Sequence, residues 1–176
     1  REIARQAGIP FRDITETRTY SDYQALAKST FFLSTAPFGN VALDWCASHL
    51  GGTPLLLSAP WMPEQIDEMN TAFSSAIGAS APHFEKEREA ALEALRLARE
   101  AAGSRPVSID SSATARPLSL ARLLVSSGFK ISTIFSDAFA PAEKADFEWL
   151  RRNAPEIELR PATNARMADA AACSAD

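Results

Sequence analysis

A chain of 176 residues with 46% hydrophobic and 23% charged residues can bury the core of one ordinary domain or of two small lobes. A net charge of -4 and the lack of a basic stripe exclude the long-range attraction on which nucleic-acid binding rests. The longest apolar runs, such as Thr53 to Pro60, are too short to span a bilayer, and no secretory signal pattern opens the chain.

In chain order, residues 1–7 read as a helix closed by Gly8, followed by a short strand from Ile9 to Ile14. Thr19 and Asp22 have the spacing of a capping box, which starts a helix whose apolar face is Tyr23, Leu26 and Ala27. Thr30 to Thr35 is β-branched and aromatic and predicts a buried strand. A helix over Asn40–Leu50 places Val41, Trp45 and His49 on one stripe and Leu43, Cys46, Ala47 and Leu50 on the next, with Gly51-Gly52 as its stop. Thr53 to Ser58 predicts a second buried strand. Pro63 and Glu64 suit the first turn of a helix carrying Ile66, Met69, Phe73 and Ile77, which stops at Gly78.

Phe84, Arg88, Ala91, Leu92, Leu95, Ala98 and Ala102 mark a long helix with one apolar seam and an opposite face dense in Glu, Lys and Arg. Beyond Gly103 the pattern predicts strand Val107–Asp110, helix Pro117–Ser127, strand Phe129–Phe135, helix Pro141–Asn153, strand Ile157–Arg160 and helix Ala165–Ala172. Such alternation implies an α/β chain, two Rossmann-like lobes with parallel sheets flanked by helices. Residues 1–82 form the first lobe, 83–103 the connecting helix and 104–176 the second lobe. Arg1 opens inside a helical pattern and AACSAD ends without a clear final element, so a piece of a longer polypeptide is expected.

Few residues announce chemistry. Of the two cysteines, Cys46 sits beside Leu43 and Leu50 on its predicted helix and reads as a small core residue, and nothing near Cys173 would lower its pKa. Their isolation speaks against a disulfide framework and for a reducing, cytoplasmic compartment. His49 and His83 lack metal-ligand partners at helical spacing; His49 complements a helix dipole and His83 reads as the cap of the charged helix. No metal site is expected. The chain has no nucleophile elbow, Walker A loop or dinucleotide fingerprint.

What stands out are loops after predicted strands, where parallel sheets hold ligands. Ser34-Thr35-Ala36-Pro37-Phe38-Gly39 ends a strand and opens a helix, and is either an anion site or a plain tight turn. Asp110-Ser111-Ser112-Ala113-Thr114 holds the matching place in the second lobe, its hydroxyls either binding a ligand or, more simply, capping a helix. Trp61, beside Pro60 after a strand end, is core or pocket wall.

The run TYSDYQALAKSTFFLSTAPFGNVALDWCASHLGGTPLLLS resembles the middle domain of nitrogenase component 1 type oxidoreductases, including their assembly and tetrapyrrole-reducing relatives. Tyr20, Asp22, Tyr23 and Gln24 match the helix before the strand, Pro37, Phe38 and Gly39 the turn, and Gly52, Thr53 and Pro54 the helix exit. PEQIDEMNTAFSSAIG is similar to the family's next helix, and SRPVSIDSSATARPLSLARLLVSSGFKISTIFSD to the opening of its third domain, so the resemblance spans nearly all of residues 1–170. The resemblance implies a subunit of an electron-transferring complex that pairs with a homologous subunit and takes electrons from an ATP-dependent iron–sulfur reductase. The family's cofactor-ligating cysteine falls at or near Ala36, where this chain has no thiol, and Cys46 lies more than two helical turns away. The cysteines of the second cluster belong to an N-terminal domain of the family. No cofactor is therefore expected within these residues, an iron–sulfur cluster being implied only for the full-length protein or complex.

Two readings follow. In the first the chain contributes a substrate- or cofactor-facing cleft to a nitrogenase-like reductase, without activity of its own. In the second it is a non-catalytic module or assembly scaffold of the same fold that binds a small metal-chelate or tetrapyrrole-like ligand. Both place the functional edge at Ala36, Pro37, Phe38, Gly39, Trp61, Ser111 and Ser112.

Overall fold

The structure, a computed structural model, describes residues 1–81 and 83–162. Among them the chain is α/β, with seven α-helices and two parallel sheets. It divides into two compact units, Arg1–Ala59 with Ile66–His83, and Pro60–Gln65 with Phe84–Asp176.

The first unit starts with α1 (Glu2–Gln6) and then departs from the expected strand at Ile9–Ile14. The backbone there is irregular and ends in a 3-10 turn at Ile14–Glu16. Pro10 has no N–H to give a ladder, and Asp13 bends the chain locally by accepting both the N–H and the hydroxyl of Thr15 at 2.9 and 2.7 Å. The capping box is present: α2 (Tyr20–Leu26) begins with Thr19 and Asp22 bonded to each other's backbone N–H.

Strand β1 (Phe31–Ser34) pairs in parallel with β2 (Thr53–Leu56), Leu33 opposite Leu55, across α3 (Asn40–Leu50). Side chains alternate between faces, so Phe32 and Ser34 share one face and Phe31 and Leu33 the other. Neither strand is buried as the apolar runs suggest. β1 is half-buried throughout and β2 is mostly exposed, because each has a single neighbour among the described residues. Helix α4 (Pro63–Ala76), which belongs to this unit from Ile66 on, buries Phe73 and Ser74.

The second unit contains α5 (Glu85–Ala102), which buries none of its residues fully and leaves Leu92 and Leu97 exposed. Its cap is Phe84, without a side-chain bond, so His83 is not the cap that the sequence suggests. After it come β3 (Pro106–Asp110), α6 (Pro117–Ser126), β4 (Lys130–Phe135), α7 (Lys144–Asn153) and β5 (Glu158–Arg160). The sheet order is β3-β4-β5, all parallel. Pro141–Glu143 is a 3-10 turn rather than the start of the helix. Ile109, Leu118, Ala121, Ile131, Ile134 and Leu150 form the buried core. The helix expected at Ala165–Ala172, and Cys173, lie outside the described residues.

Candidate functional site

In the first unit the expected edge is one tight turn. Ala36 donates its N–H to Ser34 Oγ at 3.2 Å, Gly39 to the Ala36 carbonyl at 2.9 Å, and Leu43 to the Gly39 carbonyl at 3.1 Å. Pro37 is buried, whereas Ala36 is exposed and Phe38 is 56% exposed. Gly39 adopts an ordinary right-handed conformation, φ −74° and ψ −4°, which any residue could take. Close approach is what selects glycine: an added Cβ would lie 2.2 Å from Ser34 Oγ and 2.7 Å from Ser34 Cβ. Gly52 repeats this at the helix exit, where a Cβ would meet the Phe32 ring at 2.3 Å. Both glycines of the resemblance thus bring α3 against β1.

α3 begins without a side-chain cap on the N–H groups of its first turn. They and the positive end of the helix dipole lie beyond the C-terminal end of β1, which suits an anion. Further along α3, Val41 and Trp45 are exposed and His49 stacks on Trp45 with ring centroids 4.5 Å apart. Cys46 is half-buried, not the core residue expected, because the helix packs on a sheet that has two strands among the described residues.

In the second unit Ser111 and Ser112 are exposed in the loop between β3 and α6. Asp110 Oδ1 accepts the Ser112 N–H at 2.6 Å, and the Ser112 hydroxyl and N–H together hold the Asp110 carboxyl below its usual range. Trp61 joins the same loop. Its indole N–H donates to Thr114 Oγ1 at 3.0 Å and its backbone N–H to Ser119 Oγ at 3.1 Å. The structure therefore joins Ala36, Pro37, Phe38 and Gly39 in one turn, and Trp61 with the loop of Ser111 and Ser112 through Thr114.

The hydroxyls of this loop do not cap α6 as expected. Besides the Trp61 indole N–H, Thr114 Oγ1 accepts the Arg116 N–H, at 3.1 Å, and the cap residue Arg116 makes no side-chain capping bond. Glu143 takes that place from a distant segment, its Oε1 accepting the N–H groups of Leu118 and Ser119 at 2.8 and 3.2 Å. A carboxylate of the chain already occupies the anion position at this helix start. Beneath it Asp146, fully buried, accepts from Arg116 at 3.2 Å, Arg122 at 3.0 Å and Gln65 at 3.3 Å. Sequence reasoning missed Arg116, Glu143 and Asp146, which look like solvated charges at helix starts. The one available signal is that Pro117 opens a helix with no Ser, Thr, Asp or Asn at the cap position.

Burial pushes the Glu143 carboxyl above the ordinary glutamate range, against the lowering effect of its bonds to Ser119, Ala140 and Leu118. The folded state then holds this proton to higher pH than the unfolded chain does. Its stabilising contribution is complete below the unfolded-state pKa and is lost as pH rises through the folded-state value. Urea titrations of the native chain and Glu143→Gln should show the stability gap between them narrowing from about pH 4 to pH 7. A gap that widens over that range would mean that the bonded, ionised form dominates.

No protein-family model, curated protein or solved structure matches the chain. Among the described residues no group of three His, Cys, Asp or Glu side chains is placed to hold a metal ion. None of their helices is long and apolar enough to cross a membrane.

Proposed function

We propose that the chain is part of a nitrogenase component 1-like oxidoreductase subunit, contributing a substrate- or cofactor-facing edge to an electron-transferring complex. The observation that carries this reading is the turn from Ser34 to Gly39. The residues that resemble the family's turn are those whose close packing aims an uncapped helix start beyond the end of β1. A paired homologous subunit, an ATP-dependent iron–sulfur reductase as electron donor and a cytoplasmic location belong to the same reading.

The described residues do not fit a cluster site. Cys46 is their sole cysteine, half-buried within α3, and Ala36 presents a methyl group at the exposed turn. A ligand at this edge would be held by backbone N–H groups rather than by sulfur. That chemistry also favours a second reading, a non-catalytic module or assembly scaffold binding a small anionic metal-chelate or tetrapyrrole-like ligand.

The polypeptide carrying this sequence, purified anaerobically with whatever subunit accompanies it, decides between them. The reductase reading expects iron and acid-labile sulfide together with reductant-dependent turnover. Ser111→Ala should lower that turnover while shifting Tm by no more than about 2 °C, since Ser111 is exposed. A preparation free of iron that accepts no electrons would abandon the reductase for the binding module.

A further inference from the structure

The face of the β1–β2 sheet turned away from Gly39 and Gly52 carries a feature that the reading above does not use. Phe31, Leu33 and Leu55 on that face, with Phe73 and Ile77 from α4 and its following turn, line a cavity of about 430 Å³. That volume falls within the range of small-molecule sites. Its remaining wall comes from α1 and the irregular Ile9–Arg12 segment, with Lys28 and Ser29 at the start of β1.

Two cations line this space, whose other walls are apolar apart from Ser29 and Thr30. Arg12 and Lys28 are both exposed, and among the described residues neither makes an ion pair or a side-chain hydrogen bond. The acidic groups closest in the chain are already engaged: Arg1 binds Asp13 at 2.7 Å and Glu16 at 2.8 Å near Arg12, and Asp22, nearest Lys28, accepts the Arg18 and Thr19 N–H groups. No carboxylate lines the cavity. An apolar interior with two unneutralised cations and no anion is complementary to a molecule with an apolar body and one negative end.

We propose that this cavity binds an apolar monocarboxylate, its hydrocarbon against Phe31, Leu33 and Phe73 and its carboxylate at Arg12 and Lys28. The aromatic walls suit either an alkyl chain or a planar ring. The site lies toward the start of β1, so it stands or falls independently of the turn at the end of that strand.

Isothermal titration of the purified polypeptide carrying this sequence tests it with three probes: decanoate, 1-naphthoate and the uncharged decanol. Saturable one-to-one binding of decanoate or 1-naphthoate is expected, and the tighter of the two distinguishes an alkyl from an aryl ligand. Arg12→Gln combined with Lys28→Gln should weaken that carboxylate about tenfold while leaving decanol unchanged, since exposed ion pairs each contribute a factor of up to about five. Both positions are exposed, so the double variant should fold, and an unchanged circular dichroism spectrum verifies this. Leu33→Trp, which fills the cavity, should abolish binding of all three probes. Absence of binding by both carboxylates at millimolar concentration, or equal affinity in the native chain and the folded double variant, would overturn the proposal.

Discussion

Replacing Asp146 with Ala is expected to cost about 3–5 kcal/mol, the usual effect of removing one partner from a buried ion pair. Asp146 is fully buried and Arg116 is only 5% exposed, so neither charge is well solvated. Arg122, with its guanidinium over the Trp149 ring at 5.5 Å, leans on the same carboxylate. Deleting it leaves two guanidinium groups close together with less countercharge, and removes the acceptor of the Gln65 amide. A loss of this size is a large part of the total stability of an ordinary domain, about 5–15 kcal/mol. Urea unfolding followed by far-ultraviolet circular dichroism provides the measurement. Asp146→Asn, which keeps the shape but not the charge, separates electrostatics from packing. A loss below about 1 kcal/mol for the alanine variant would show that solvent reaches this cluster.

The second large effect is expected at Gly39. Gly39→Ala places a methyl group inside the contact distance of both side-chain atoms of Ser34. Overpacking of this kind costs about 1–3 kcal/mol, and valine should cost more than alanine. Part of any loss comes from glycine being a better helix cap than alanine, so the single variant is not sufficient. Ser34→Gly removes the atoms that clash, and combining it with Gly39→Ala should recover stability relative to the sum of the single changes. Strict additivity in that double-mutant cycle would remove close approach as the reason for glycine here.

Much of the fold was legible in the sequence because its elements are punctuated locally. Gly51 with φ 76°, Pro63 and Pro117 at helix starts, and the Thr19–Asp22 box each act within a few residues, and the elements they bound lie close to where the pattern places them. What the pattern overstates is burial. An apolar run such as Thr53 to Ser58 shows that a strand can be buried, not how many neighbours it has, and β2 has one among the described residues. The expected strand at Ile9–Ile14 failed for the complementary reason: its residues tolerate a strand, but Pro10 and the Asp13 turn break any ladder.

At the candidate edge, sequence order identified the turn around Gly39 but not the event that closes the matching helix start. Glu143 reaches α6 across 24 and 25 positions of the chain, and Asp146 reaches Arg116 across 30. Pairings of that span leave no periodic trace. The acidic residues concerned look the same in sequence as those on the solvated face of α5, where Glu93 and Glu100 simply flank Arg96.

The order β3-β4-β5 has a consequence for synthesis. Strand order equals chain order, so each strand leaving the ribosome meets an edge that has just been made, and no place in the sheet must be held open for a later arrival. The Trp61–Gln65 segment runs the opposite way: translated long before α6 and α7, it finds Thr114, Ser119 and Asp146 only once those residues exist. The sheet of the second unit thus follows the chain forward, while the segment that ties its helices was made before any of its strands.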